Sequence, residues 1–272
     1  MIRFNNKFLK GFAFIALLSL PLMLSAQKRV LKNTLYGTKH SSVPVVSSEL
    51  KGAVFYLVSG HGGPDPGAVG KVGRYSLHED EYAYDITLRL ARTMESKGAK
   101  VYMIIQDKRD GIRSDKYLKN SKIETCMGQA IPLNQLARLR QRSAKVNQLF
   151  HKDRSRYKRA ICIHVDSRSV SQKLDVFFYY APGSKIGKRS AENMRRTFSS
   201  EYNSHQPGRG FTGSVSARGL HMLTQTTPVC TFVELGNIRN TADQRRLLIE
   251  DNRQALANWI CQAYAKEYRS MR

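Results

Sequence analysis

The sequence has few acidic residues. Only 21 aspartates and glutamates stand against 45 lysines and arginines among 272 residues, and the formal net charge is +24. The basic residues are spread along the chain and form no single block, which predicts a basic surface and not a basic tail. Such a surface attracts polyanions, whether nucleic acid, an anionic lipid surface or a polymer that carries carboxylates.

Cysteine is also scarce, and the four cysteines form no C-x-x-C pair. This spacing argues against a cysteine-ligated zinc knuckle and against a thioredoxin-type redox motif. Cys162 and Cys230 lie in apolar runs that are typical of buried strands, where a free thiol packs as a small hydrophobic group. The sequence leaves their disulfide state open.

The longest apolar run, residues 11–24, is shorter than the roughly 20 residues that cross a membrane as a helix. Pro21 also interrupts it. Three basic residues and no acid precede the run, and Ser-Ala-Gln follows it, which is the layout of a secretory signal peptide that ends at residue 26. An uncleaved anchor is the alternative. We therefore predict an exported chain with no stable membrane span after cleavage, and export argues against nucleic acid as a partner.

Apolar runs and amphipathic stretches alternate after residue 50. Strands are predicted at residues 53–59, 100–106, 160–165, 174–180 and 229–235, and helices at 82–96, 133–150, 186–202 and 251–268. This alternation predicts an α/β fold, a single domain with a mainly parallel sheet covered by helices on both faces. We assign residues 27–50 to a leader segment, 51–272 to the catalytic domain, and 110–130 to a long surface loop within it.

Ligands of such sheets bind beyond the carboxyl ends of the strands. His61, His164 and Glu234 lie at the ends of three predicted strands, and Glu79 lies at the head of the first helix. Two imidazoles and one carboxylate are a common ligand set for catalytic zinc, and a further carboxylate can act as the base. Each residue alone has an ordinary structural explanation. Together they favour a shared site, because unpaired buried charges are costly.

These segments resemble the zinc-dependent N-acetylmuramoyl-L-alanine amidases of the type-3 family. The resemblance runs from about residue 53 to residue 268 and rests on four motifs in family order. The motifs are Gly-His-Gly-Gly-Pro-Asp-Pro-Gly-Ala at 60–68, Glu79 ahead of Thr-Leu-Arg-Leu-Ala at 87–91, Cys-Ile-His-Val-Asp at 162–166, and Val-Glu-Leu-Gly-Asn at 233–237 followed by Asn240.

The resemblance implies a secreted enzyme of the bacterial periplasm or cell envelope that degrades peptidoglycan. It implies Zn²⁺ held by His61, Glu79 and His164, with Glu234 as the catalytic base, and the amide between the lactyl group of N-acetylmuramic acid and L-alanine as the bond that is cut. The substrate-binding residues expected from it are Arg218, Asp166 and Asn237.

The chain departs from the family pattern at several points. Val165-Asp166 replaces the usual Ala-Asn, and Leu223-Thr224 stands where the family often has Leu-Arg. His78 and Glu81 flank Glu79, so a neighbour remains an alternative ligand. Two other functions stay open at this point: a zinc peptidase that acts within the stem peptide, and a cell-wall binding module that has lost catalysis.

The active site is expected to be open without an activator. Some members of the family carry a blocking helix after the second histidine ligand, but here only residues 167–173 lie between Asp166 and the fourth predicted strand, which begins at Leu174. A helix of useful length needs about 10–14 residues. The loop at 110–130 is expected to form the rim of the cleft and to contact substrate, with a solvated loop of no functional role as the alternative. His221 is expected near the cleft because it follows Arg218.

Overall fold

The computed structural model describes residues 29–271. The predicted signal peptide lies outside the described residues. Among residues 29–271, no helix is both long and apolar enough to cross a membrane.

The described part of the chain contains six α-helices and thirteen β-strands. The helices are α1 (Glu79–Ser96), α2 (Gln135–Lys152), α3 (Lys185–His205), α4 (His221–Gln225), α5 (Thr241–Leu248) and α6 (Glu250–Arg269). The strands are β1 (Val30–Lys32), β2 (Ser42–Pro44), β3 (Ala53–Ser59), β4 (Val69–Val72), β5 (Tyr75–His78), β6 (Lys100–Met103), β7 (Ile105–Gln106), β8 (Thr125–Cys126), β9 (Gln129–Ala130), β10 (Tyr157–Asp166), β11 (Phe177–Tyr180), β12 (Ser214–Ala217) and β13 (Val229–Asn237).

Six strands form the central sheet in the order β12-β11-β13-β10-β3-β6. Strands β6, β3, β10 and β13 are mutually parallel. Strand β11 pairs antiparallel with β13, and β12 pairs parallel with β11. Helices α1, α3, α5 and α6 pack against one another on one face, and α2 and α4 pack together on the other. The predicted fold class is confirmed.

The continuous apolar run of β3 reflects burial on both faces of the sheet. Ala53, Phe55 and Leu57 belong to the larger core beneath α1 and α6. The alternate residues Val54, Tyr56 and Val58 belong to the smaller core beneath α2 and α4. A strand with one face in water would show alternating polar residues, so the run itself indicates a central strand.

The segment predicted as a leader packs against the domain. Its short strands β1 and β2 pair antiparallel, and Tyr36, Val43 and Leu50 are fully buried. The hydroxyl of Tyr36 donates a hydrogen bond of 2.8 Å to the Glu95 carboxylate on α1. Tyr36, Val43 and Leu50 are too far apart in sequence to form a hydrophobic period, so the sequence pattern does not reveal their burial. Residues 30–50 nevertheless contribute to the larger core.

Much of the predicted loop at 110–130 is anchored by buried carboxylates. Glu81 on α1 pairs with Arg113 at 2.8 Å and also accepts a hydrogen bond from the backbone amide of Ser121. Burial, together with the carboxylates of Glu81 and Glu124, raises the pKa of Asp80 to about 8, so this group stays largely protonated at neutral pH. The later part of the segment forms β8 and β9, which extend β7 into a small sheet.

Asp85 on α1 links that segment to the last helix. Its Oδ2 accepts hydrogen bonds from Arg89 at 2.8 Å and from Arg253 on α6 at 2.7 Å. Its Oδ1 accepts one from the backbone amide of Arg113 at 2.8 Å. Asp85 and Arg253 are fully buried and Arg89 nearly so. One carboxylate therefore binds two buried arginines, of which Arg89 also pairs with the partly exposed Glu250 at 3.2 Å.

Asp85→Ala should destabilise the protein by about 3–5 kcal/mol, because it leaves buried arginine charge without its carboxylate. The free energy of unfolding in urea would measure this loss. Glu192→Ala is the control, since its 3.9 Å pair with Lys188 is exposed and should contribute less than about 1 kcal/mol. Equal stability of the two variants would contradict the role given to Asp85.

Candidate active site

The loop after β3 carries His61. The backbone amide of Gly60 donates to the carbonyl of Ile163 at 2.7 Å, so the chain stays bound to β10 up to this point. His61 then takes φ +57°, a left-handed conformation that non-glycine residues seldom adopt and that carries a strain cost. Asp65 turns the loop back through backbone hydrogen bonds with Gly62. The strained turn directs the imidazole towards the first turn of α1.

A carboxylate and an arginine hold the far side of the His61 ring. Nδ1 of His61 lies 2.8 Å from Oδ2 of Asp65, and Arg138 on α2 lies 2.5 Å from the same oxygen. The hydrogen bond to His61 and the nearby charges lower the pKa of Asp65 to about 2. A carboxylate bound to one ring nitrogen orients the other nitrogen towards a ligand. Asp65 lies in the motif at 60–68, but nothing in the sequence pattern marks its contact with His61 or that of Arg138 with Asp65.

Glu79 lies between the two histidines. Its Oε2 is 3.2 Å from Nε2 of His61, and its Oε1 is 3.0 Å from Nδ1 of His164. The backbone amides of Ala68 and Val165 also donate to this carboxylate, at 2.9 and 3.1 Å. Burial opposes the charged form, but the hydrogen bonds to His164 and His61 outweigh burial and lower the pKa of Glu79.

Neither flanking alternative occupies this position. Glu81 pairs with Arg113, and Nδ1 of His78 is buried without a hydrogen-bond partner among the described residues.

His164 completes a possible metal site. Its ring lies on Phe232 with centroids 4.2 Å apart, and 5.0 Å from the His61 ring. Candidate ligand atoms of His61, Glu79 and His164 all lie within 4.8 Å of one another. Burial and the hydrogen bonds to Asp65 and Glu79 act in opposite directions on His61, and the bonds prevail and raise its pKa to about 10. Two imidazole nitrogens and one carboxylate are a donor set that fits zinc.

Glu234 lies beside this group on the neighbouring strand. It pairs in register with His164 across β10 and β13, and its Oε2 is buried without a hydrogen-bond partner in the described chain. Burial, with added repulsion from Glu79 and Asp166, raises the pKa of Glu234 well above its ordinary value. A buried carboxylate oxygen without a hydrogen-bond partner among residues 29–271 is available to exchange a proton with a substrate or a water molecule.

Comparison with known proteins identifies the family. The family model for N-acetylmuramoyl-L-alanine amidases matches residues 56–266. The chain belongs to this amidase family. A relative, the germination-specific N-acetylmuramoyl-L-alanine amidase of Bacillus subtilis, is 27% identical over 203 residues, which cover 72% of each chain. The predicted family and the predicted class of enzyme are confirmed.

Solved amidase structures share the fold. The CwlD amidase of Clostridioides difficile superposes with a TM-score of 0.58 at 18% identity and covers 81% of this chain and 100% of its own. The catalytic domain of CwlV from Bacillus (Paenibacillus) polymyxa gives 0.57 at 19% identity, covering 81% and 99%. At such identities the likeness establishes the architecture alone.

The predicted substrate-binding residues of the amidase occupy different surroundings. Asp166 is half-buried and binds Arg168 at 2.8 Å. Arg218 is exposed, with its guanidinium 5.1 Å from the centre of the Tyr179 ring. Asn237 is fully buried, and its amide group binds four backbone groups at 168, 169, 172 and 239. The contacts of these residues with substrate stay a prediction. The hydrogen bonds of Asn237 hold the backbone at 168–172 and at 239 in place.

A cavity of about 170 Å³ adjoins the two histidines of the amidase. His221, at the start of α4, lines it as expected and lies 3.0 Å from Ser143 on α2. Leu139 and Arg142 of α2 also line it. The cavity therefore lies between α2, α4 and the ends of β3 and β10.

Gly60→Ala in the amidase should weaken metal binding by about 10- to 100-fold, the usual effect of disturbing a ligand's support. An added methyl group would lie 2.7 Å from Cγ of the His164 ring, so the ring would have to move. Titration against a chelator of known affinity measures the loss. Gly219→Ala is the control, since it has open space around it and no positive φ. Unchanged affinity in Gly60→Ala would rule out this close contact as a constraint on His164.

Proposed function

We propose that the amidase is zinc-dependent and that it cuts the amide between the lactyl group of N-acetylmuramic acid and L-alanine in peptidoglycan. His61, Glu79 and His164 hold the metal, and Glu234 is the catalytic base. The observation that carries this proposal is the convergence of the three ligand side chains beside a buried carboxylate oxygen that has no partner in the described residues.

Each residue has a defined task in the proposed reaction. Zinc held by His61, Glu79 and His164 would polarise the scissile carbonyl and lower the pKa of the attacking water. Oε2 of Glu234 accepts a proton from that water and returns it to the departing amine of L-alanine. Asp65 and Arg138 hold the His61 ring through the contacts at 2.8 and 2.5 Å. The burial that raises the pKa of Glu234 also makes its proton available for the leaving group.

The charge of the chain supports an envelope location. A net charge of +24 suits a polymer whose stem peptides carry free carboxylates. We propose that the protein is exported by the signal peptide at residues 1–26 and acts in the bacterial periplasm or cell envelope, with peptidoglycan and not nucleic acid as its polyanionic partner.

His164→Ala and Glu234→Gln should separate metal binding from proton transfer. His164→Ala removes a ligand, so zinc content and activity should both be lost. Glu234→Gln keeps the shape and removes the base, so zinc content should stay normal while turnover falls by about 10²–10⁴. Elemental analysis and a turnover assay on the same preparations measure both quantities.

Two results would contradict these assignments. Stoichiometric zinc in His164→Ala would remove His164 from the ligand set, and near-normal turnover in Glu234→Gln would exclude Glu234 as the base. Mass spectrometry of digested peptidoglycan tests the bond that is cut. The amidase should release intact stem peptides and leave bare muramic acid, whereas a peptidase would release fragments of the stem.

Purified mature protein should hydrolyse peptidoglycan without an activator. Residues 167–176, between β10 and β11, contain no helix, and the buried amide of Asn237 fixes this connector by bonds to Ser169 and Gln172 at 2.9 and 2.8 Å. Nothing in the connector resembles a blocking helix. Release of stem peptides over time by the protein alone is the expected result. Activity that appears only after a second protein is added would contradict it.

A further inference from the structure

Arg142 differs from the other buried arginines. Five arginines in the described chain are buried, and four of them, Arg89, Arg159, Arg246 and Arg253, form ion pairs with carboxylates at 2.5–2.8 Å. Arg142 is only 3% exposed and has no ion pair among residues 29–271. Its Nη2 donates to the carbonyl of His61, and its Nε is buried without a partner in the described residues. Burial lowers the pKa of Arg142.

An isolated buried charge is costly, because the protein does not replace the water that the charge has lost. In the four paired arginines, a carboxylate of the protein offsets the loss of water around the buried charge. Arg142 is therefore the one buried guanidinium of the described chain whose counter-charge the protein itself does not supply. A bound anion would supply it.

The cavity beside the metal ligands brings such an anion within reach. Arg142 lines this 170 Å³ space together with His61 and His164, and the apolar side chains of Leu139, Leu220 and Phe232 form other parts of its wall. The second arginine of the cavity, Arg138, is already bound to Asp65 and to the carbonyl of Leu133. Arg142 is thus the cation of this cavity that remains unpaired.

The position of the cavity selects a part of the substrate. Because His61 and His164 line it, the group that fills it belongs near the scissile amide. On the peptide side, the carboxyl group of L-alanine is itself in an amide bond. The first carboxylate after that bond is the α-carboxylate of the second stem residue, which is free when that residue is a γ-linked glutamate and absent when the group is amidated.

We propose that Arg142 and the cavity form a subsite for the free α-carboxylate of the second stem residue, and that the enzyme discriminates against stems in which this carboxylate is amidated. The inference rests on the proposed function, since it assigns a specificity to the same site. A guanidinium–carboxylate contact is charge-assisted and desolvated here, which makes it sensitive to replacement of the carboxylate by a neutral amide.

Two soluble substrates test the subsite. Both are N-acetylmuramoyl tripeptides with a C-terminal amide, and they differ only in whether the γ-linked second residue carries an α-carboxylate or an α-carboxamide. For the zinc-loaded wild-type enzyme, kcat/KM should be about 10- to 100-fold higher for the carboxylate, the effect of one charge-assisted hydrogen bond. Equal kcat/KM values for the two substrates would overturn the proposal.

Arg142→Gln should abolish the preference, so that the ratio of the two kcat/KM values falls to about 1. The ratio is insensitive to a general loss of active enzyme, because both substrates meet the same preparation. Arg140→Gln is the matched control. Arg140 is an exposed arginine on the same helix, and its variant should keep the wild-type ratio. A preference that persists in Arg142→Gln would overturn the assignment to Arg142.

Product binding decides the matter if Arg142→Gln is inactive. The released tripeptides, carboxylate and carboxamide, are titrated into wild-type protein by calorimetry. Tighter binding of the carboxylate form by about 10-fold or more is expected, and equal binding would overturn the subsite. A wild-type enzyme that hydrolyses neither substrate would instead count against the proposed function, while the calorimetric comparison would still test the subsite.

Discussion

The carboxylate of Glu79 is the contact on which the geometry of the site depends. Its two oxygens lie against His61 and His164 and accept backbone hydrogen bonds from Ala68 and Val165. Four groups from two distant segments therefore meet one buried acid at the first turn of α1. Further along the same helix, Asp85 neutralises buried arginines of α1 and α6. The helix that supplies the central acid is thus itself held by buried charge, and any rotation of α1 would disturb both.

Much of the fold could be predicted from sequence, for physical reasons. The apolar run at 53–59 predicts β3 to the residue, because burial on both faces makes the run continuous. The apolar period predicts helix α1, although the helix begins at Glu79 and not at residue 82. The hairpin of β4 and β5, strand β12 and helices α4 and α5 were missed. They span only four to eight residues each, so each shows at most about two repeats of its period.

The candidate site divides in the same way. The histidines and glutamates could be found because strand ends and a helix start are places that sequence patterns locate, and the structure does bring His61, Glu79 and His164 together. The residues around them, Arg138 and Arg142, could not be found from the sequence. Helix α2 was predicted, but among 45 basic residues nothing local marks Arg138 and Arg142 as facing inward. Their direction depends on how α2 crosses the sheet, and that is set by packing with α4 and the small sheet of β7–β9.

The antiparallel strand β11 has a consequence for how access to the cleft can change over evolution. Because β11 runs opposite to β13 and β10, the chain enters it at the same edge of the sheet where β10 ends. No helix has to carry the chain back across the domain. Residues 174–176 are buried, and Val176 accepts a hydrogen bond from Ser214 of β12, but the exposed stretch of the connector at 167–173 belongs to no strand. Its length can grow at little entropic cost, about 0.6 kcal/mol for each doubling. A lineage could therefore add or remove a cover over the metal ligands at this point while every strand keeps its neighbours.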